Sequence, residues 1–284
     1  MEVSRRPPIP YGQLMALSVE KSIPTKDGLS LPMIGFGTWS LRGQECVQAV
    51  RCAFDCGYRL IDTASFYQNE KDVGLAVRQS GIDRQKIIVQ TKLYPNQYAQ
   101  ADKAIDESLR KLDIDYIDVM MLHHPAVNDV AAYHAIERAI DEGKVRAAGI
   151  SCYYIDETNR FLPRVSKKPI LIQNEIHPLY QDTEVIEHIQ ALGIRVQSWY
   201  PFGGRGYAGE LFKNATLLEI ANHHNKSVAQ VVLRWHIQRA VAVIPGSSNP
   251  KHIEENREIF DFELNDEEMM LIAGLDRSEK HDWY

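Results

Sequence analysis

The 284-residue sequence contains only four cysteines, Cys46, Cys52, Cys56 and Cys152. Their spacing fits neither a zinc-ligand pattern nor a disulfide framework, so reduced and mostly buried thiols are expected. No apolar run approaches the roughly 18 residues that a membrane-spanning helix needs. Lys and Arg number 32 against 38 Asp and Glu, for a net charge of −6, and the basic residues are scattered. Binding a phosphate backbone would require a basic stripe, so nucleic acid is not an expected partner, and neither is a membrane. The glycine-rich phosphate loop of an open dinucleotide-binding sheet is incomplete. Gly35-Phe36-Gly37 is followed by Thr38-Trp39-Ser40, without the third glycine. A secretory leader is not expected either. Ser4-Arg5-Arg6 runs into Pro7, Pro8 and Pro10, and no apolar segment of about 7–15 residues follows. The expected location is therefore cytoplasmic.

What is present is ordinary in amount: 44% hydrophobic and 25% charged residues. A chain this long can bury a core without covalent staples. Residues 1–17 are proline-rich and lack periodicity, so they read as an N-terminal extension. Residues 18–284 read as a single domain, with no linker or composition break. Thr25-Lys26-Asp27-Gly28 lies between the strand-like runs Leu17–Ser22 and Leu29–Pro32, which predicts an N-terminal β-hairpin.

From Met33 onward a short apolar run alternates with an amphipathic stretch. The runs are Ile34–Thr38, Leu60–Asp62, Ile87–Lys92, Ile117–Leu122, Ala147–Ser151, Ile170–Glu175, Arg195–Trp199 and Ala242–Pro245. The helix candidates are Gln44–Asp55, Asn69–Gln79, Ala101–Leu112, Asp129–Glu142, Asp156–Leu162 and Thr183–Leu192. They continue with Ala215–Arg239 (in two pieces split near Asn225–Ser227), Pro250–Ile259 and Asp266–Ala273. Ser227 and Asn249-Pro250 sit where helices start, and Gly57, Gly143 and Gly193 where they stop. Eight β–α units predict an α/β fold of the (β/α)8 TIM-barrel type with a short C-terminal tail.

Barrel enzymes carry their chemistry at the carboxyl ends of the strands. Here those ends are polar: Thr38, Asp62, Lys92, His123, Ser151, Gln173-Asn174, Trp199 and Gly246-Ser247. An Asp after one strand is commonly just a helix cap, but several polar ends converging on one rim are a different signal. A lysine closing a buried strand needs a carboxylate, and Asp62 on the preceding strand is the nearest candidate. Tyr67 follows in the next loop. A phenol is a poor acid at neutral pH until a neighbouring ammonium stabilises its phenolate. His123 can orient a substrate oxygen. Together these groups can protonate a developing alkoxide.

At these residues the sequence resembles the aldo-keto reductase family. The matching segments run in family order: Gly35–Trp39, Gly57–Glu70, Thr91-Lys92, Met121–Pro125, Gly149–Ser151, Gln173–Pro178, Trp199–Gly203 and Ile244–Ser247 with Glu255-Asn256. They span about residues 18–275. The resemblance implies NAD(P)H-dependent reduction of a small carbonyl compound, or the reverse alcohol oxidation. It implies a catalytic tetrad of Asp62, Tyr67, Lys92 and His123, with Tyr67 the proton donor. It implies cofactor contacts from Thr38, Asp62, Ser151, Cys152, Gln173, Trp199, Tyr200, Pro201, Phe202 and Gly203, and from Ile244, Gly246, Ser247, Ser248, His252, Glu255 and Asn256. Trp199, where the family often has Tyr, would stack on the nicotinamide. Trp39, Tyr67, His123 and His124 would line the substrate mouth.

Four residues depart from the family pattern. Cys152 stands for a common Asn, and His124 for a common Trp. Gly246 replaces the Lys of Ile-Pro-Lys-Ser, and His252 an Arg six residues later. The last two remove cations that grip the 2′-phosphate in NADPH-preferring members, so weakened NADP preference and real use of NADH are expected. Two other classes remain open at this point. One is a cofactor-bound sensor or interaction protein, like the β subunits of potassium channels. The other is a barrel isomerase or lyase using Lys92 as a Schiff base.

Other residues have plainer readings. His177 and Pro178 read as structural, and His223 and His224 as solvated. No metal is assigned, since His188 has no visible metal partner and no His/Asp/Glu cluster has ligand spacing. Trp235, Met120 and Met121 read as packing, and Glu254, Glu255 and Glu258 as a solvated face. The tail Arg277–Tyr284 is short, which suggests an open pocket. Trp283 and Tyr284 could reach its mouth or pack on the barrel.

Overall fold

The computed structural model describes residues 23–24 and 29–282. The 1–17 extension, the Leu17–Ser22 run, the Thr25–Gly28 turn, Trp283 and Tyr284 lie outside them. Strand β1 (Ile23–Pro24) pairs antiparallel with β2 (Ser30–Leu31), Ile23 opposite Leu31. The barrel strands follow: β3 (Phe36–Gly37), β4 (Leu60–Asp62), β5 (Ile88–Leu93) and β6 (Ile117–Leu122), then β7 (Val145–Ser151), β8 (Leu171–Glu175), β9 (Arg195–Trp199) and β10 (Val241–Val243). All eight are parallel and neighbour one another in sequence order. The first and last edges meet through Gly35 N–H to the Val243 carbonyl (2.8 Å), Val243 N–H to that of Met33 (2.9 Å) and Gly37 N–H to that of Pro245 (3.1 Å). The sheet closes into the expected barrel.

Outside it lie α1 (Gly43–Asp55), α2 (Glu70–Gln79), α3 (Ala101–Leu112), α4 (Asp129–Asp141), α5 (Ile155–Phe161) and α6 (Thr183–Ala191). They continue with α7 (Ala208–Phe212), α8 (Ala215–His224), α9 (Val228–Gln238), α10 (Pro250–Arg257) and α11 (Asp266–Ala273). The 3.6-residue period explains which faces are buried. In α3, Ala101, Ala104, Ile105, Ser108 and Leu112 point inward. Ser227 and Gln230 form a capping box at the start of α9, and Asn249 caps α10 with Pro250 at its first position. Gly57, Gly143 and Gly193 stop their helices with φ of +90°, +75° and +72°.

Two apolar layers result. The larger lies between strands and helices and includes Phe36, Ile61, Tyr133 and Trp235. The smaller lies inside the barrel and includes Leu29, Leu31, Leu60, Ile88, Val119, Met121 and Leu171. Leu29 and Leu31, on and beside β2, belong to it, and Arg195 donates to the Leu31 carbonyl at 2.7 Å. The carboxyl-end register carries polar side chains instead, with Asp62 opposite Gln90 and Gln173 opposite Gln197. The chemistry is therefore confined to one end. Among the described residues, no helix is long and apolar enough to cross a membrane.

Candidate active site

Asp62 ends β4 and is buried. Its backbone carbonyl accepts the Thr38 N–H at 3.0 Å and the Thr38 hydroxyl at 2.9 Å. A single 3-10 turn, Ser65–Tyr67, follows and ends at Gln68 in the left-handed region (φ 56°). Asn69 fixes this loop. Its carbonyl accepts the Thr63 hydroxyl at 2.6 Å, and its amide donates to the carbonyls of Thr38 and Leu41 at 2.8 and 3.0 Å. The loops after β3 and β4 are thus bonded to each other, with Trp39 and Tyr67 on the same rim.

Lys92 reaches up from β5 and is buried. Its ammonium donates to both Asp62 oxygens at 2.6 and 2.7 Å, to the Thr63 carbonyl at 3.1 Å and to the Tyr67 hydroxyl at 3.4 Å. Burial pulls the Lys92 ammonium below its ordinary range, and Asp62 opposes that pull. Asp62 accepts further bonds from Gln90 at 2.7 Å and Gln173 at 3.1 Å, and both amides also donate to Gln197 at 2.7 Å. The charge pair is thus enclosed by oriented amides, as a buried pair requires. His123, just past β6, packs its ring edge-on to Tyr67 at 5.8 Å between centroids. Burial first, and Lys92 second, hold its imidazole well below the usual 6.5, so the ring is neutral.

These groups open into a cavity of about 910 Å³. That lies near the top of the roughly 300–1,000 Å³ typical of small-molecule and cofactor sites. On one side Trp39 stacks on Phe66 (5.9 Å, 11°) and Phe66 on Tyr94 (4.3 Å, 14°). On the other side lie Ser151, Cys152, Gln173, Trp199, Tyr200, Pro201 and Phe202, then Ile244, Gly246, Ser247 and Ser248. The donor set fits a nicotinamide dinucleotide: amide and hydroxyl groups, an indole, then serines and bare backbone. The Trp199 indole N–H is buried and unpartnered among the described residues. Gly246 approaches so closely that a Cβ there would lie 2.3 Å from the Gly37 carbonyl oxygen. Cys152 has φ +61°, a conformation that Asn tolerates better than Cys. Burial pushes its thiol up to about 11, so it is a poor nucleophile.

A family model described as the aldo/keto reductase family matches residues 33–277. Glyoxal reductase from Bacillus subtilis (strain 168) is 34% identical over 270 residues, covering 94% of this chain and 96% of the relative. This chain belongs to the aldo-keto reductase family. Morphine 6-dehydrogenase from Pseudomonas putida is 35% identical over 88% of this chain and 89% of its own length. Among solved structures, an aldo-keto reductase from a Medee basin deep-sea metagenome library superposes with a TM-score of 0.89 at 32% identity, over 91% of this chain and 96% of that one. Bombyx mori aldo-keto reductase in complex with NADP gives 0.85 at 30% identity, over 92% and 94%. As an aldo-keto reductase, the chain is an NAD(P)H-dependent oxidoreductase acting on carbonyl groups.

Not every residue named from the sequence lines the cavity of this aldo-keto reductase. Thr38 and Lys92 lie behind its wall, bonded to Asp62. His124 packs edge-on against Tyr94 at 5.4 Å and bonds the Pro125 carbonyl. Gly203, His252, Glu255 and Asn256 are outside the lining set. His252 is exposed, with its Nε2 3.4 Å from the Asn249 amide. Sequence reasoning missed Gln90, Gln197 and Asn69, along with Phe66, Tyr94, Arg205 and Asp282 on the wall. The available signal for the first two was a glutamine following Val on a buried strand that ends in polar residues, Val89-Gln90-Thr91-Lys92 and Val196-Gln197-Ser198.

Two histidine readings need correction. The structure does assemble three-residue donor groups, Glu175–His177–His281 and His223–His224–Glu268. His177 is buried and bonded to Glu175 at 3.0 Å, as its structural reading requires. His223 and His224 are not simply solvated, because both bond Glu268 (2.7 and 2.9 Å), whose other oxygen caps Asn265 N–H of α11. Their bonds join α8 to α11.

Proposed function

We propose that the chain reduces an aldehyde or ketone with Tyr67 as proton donor, and runs the reverse oxidation with the same residues. The observation that carries this is the Lys92 ammonium, bound to both Asp62 oxygens and 3.4 Å from the Tyr67 hydroxyl. Bound reduced nicotinamide cofactor supplies the hydride. The substrate carbonyl accepts a hydrogen bond from the Tyr67 hydroxyl, and His123 orients the same oxygen. As negative charge grows there, Tyr67 gives up its proton and Lys92 stabilises the phenolate left behind. Asp62, with Gln90 and Gln173 bonded to it, holds Lys92 in place. Charge stabilisation by fixed groups and correct positioning supply most of the acceleration. Ser151 and Gln173 would hold the carboxamide of the bound cofactor, Trp199 would lie against its ring, and residues 200–202 would lie along its pyrophosphate. Cys152 offers less to the carboxamide than Asn would.

Ser247 and Ser248, which line the cavity, would serve the adenosine end. Gly246 and His252 leave the 2′-phosphate with fewer cationic partners, and charge-assisted bonds of this kind contribute about 1.5–3 kcal/mol each. Trp39, Phe66 and Tyr94 form the substrate wall. Several relatives carry the names glyoxal reductase and methylglyoxal reductase, so small 2-oxoaldehydes are the first substrates to test. The experiment is titration with NADPH and NADH side by side, followed by an aldehyde panel. Both cofactors should bind, within about a hundredfold of each other, and aldehydes should be turned over. Binding without turnover of any carbonyl compound would remove the reductase reading. A larger preference for NADPH would remove the 2′-phosphate argument alone.

A further inference from the structure

The segment after β9 contains Gly203, Gly204 and Gly206, all with positive φ, so it has little conformational preference of its own. It nonetheless covers one end of the cavity, which Tyr200, Phe202, Gly204 and Arg205 line. Something must hold it in place, and the C-terminal tail makes the contacts. The His281 imidazole is buried and lies flat on Tyr207, 3.6 Å between ring centroids at 13°. Its opposite neighbour is His177, at 4.5 Å and 20°. Its Nδ1–H donates to the Gly203 carbonyl at 2.7 Å. A Cβ on Gly203 would stand 3.2 Å from that nitrogen, so glycine makes room for the ring.

The tail itself is pinned from below. The buried Glu175 carboxylate, at the end of β8 beyond Gln173 and Asn174, accepts the backbone N–H of His281 at 2.6 Å and of Asp282 at 3.0 Å. Arg277 and Glu279 both donate their N–H to the Leu179 carbonyl, at 3.0 and 3.1 Å. Arg277 also pairs with Glu210 of α7 at 2.6 Å. Buried hydrogen bonds to a carboxylate carry more weight here than the exposed Arg277–Glu210 pair.

We infer that His281 is a positioning residue: through Gly203 and Tyr207 it latches the segment 200–212 over the dinucleotide and slows cofactor release. The inference rests on the cofactor placement proposed above. The cofactor cannot leave from under this segment until the imidazole withdraws from between Tyr207 and His177. Because His281 touches neither the Tyr67 hydroxyl nor Lys92, the hydride and proton steps do not depend on it.

The test compares the full-length wild type with His281→Ala, Tyr207→Ala and Tyr207→Phe. In the cofactor-free proteins, amide hydrogen exchange over residues 200–212 should rise in both alanine variants and stay at the wild-type level in Tyr207→Phe, which keeps the stacked ring. In stopped-flow fluorescence, NADPH and NADH should both dissociate about two- to tenfold faster from the alanine variants, the range of one net hydrogen bond. Cofactor KM should rise in step, while the single-turnover rate of carbonyl reduction stays unchanged. Tyr207→Ala supplies the result should His281→Ala fail to fold. Unchanged exchange or unchanged dissociation in a folded alanine variant overturns the latch. A wild-type chain that binds neither dinucleotide overturns the functional reading first, and the exchange measurement then reports on the clasp alone.

Discussion

Lys92 donates to three different residues, and each contact has its own consequence. The Asp62 pair makes burial of the charge possible, the Thr63 carbonyl fixes its direction, and the Tyr67 hydroxyl receives what remains of its field. The sequence could show that a lysine ending a buried strand needs a carboxylate. It could not show that Gln90, Gln173 and Gln197 complete the shell, because that depends on strands meeting across the barrel. His123 carries the pH prediction at this scale. Burial depresses its pKa below 6.5, so the ring stays neutral as pH falls through that value. Carbonyl reduction measured as kcat/KM should therefore show no inflection near pH 6.5. An acid limb at that pH, absent from His123→Asn, would show that the ring titrates normally and is accessible to protons.

At the scale of the element, local rules decide most of what is observed. Ala101–Leu112 and Asp266–Ala273 are helices with the expected boundaries, because their periodicity and end signals agree. The short helix Ala208–Phe212 is invisible to those rules. It has a single turn's length, a glycine inside it and a glycine-rich run before it, so only tertiary contacts hold it. The 3-10 turn that presents Tyr67 is equally silent, since its shape comes from the Asn69 side chain bridging two loops. Helix packing yields a stability prediction. Gly74 of α2 touches the end of α3, where an added Cβ would fall 1.8 Å from the Leu112 carbonyl oxygen. Alanine would favour the helix by about 0.5–1 kcal/mol. Overpacking of a rigid contact costs about 1–3 kcal/mol or more, so it wins. Gly74→Ala should lower the melting temperature by about 2–4 °C per kcal/mol lost. An unchanged or raised melting temperature would mean that the two helices separate freely.

Across the whole molecule, eight strands divide the barrel interior into an apolar lower layer and a polar upper one. That division was readable in advance. Apolar runs that end in Asp, Lys, His, Ser and Gln at regular intervals bring their polar ends to one rim once the strands run parallel. What closure adds was not readable. Gly37 and Gly246, over 200 positions apart, meet where the first and last strands join, and that contact explains why no side chain fits at Gly246. The tail is a second case. A short tail suggested an open mouth, yet residues 277–282 cross the loop after β9 and bring Asp282 to the cavity wall. Both features depend on distant parts of the chain meeting. The central claim, however, concerns one proton. It is tested most directly in Tyr67→Phe by measuring NADPH binding and carbonyl turnover on the same preparation. The account predicts near wild-type affinity for the cofactor with turnover reduced roughly 10²–10⁴-fold, the usual contribution of a positioned general acid. Turnover at the wild-type rate in that variant would contradict it.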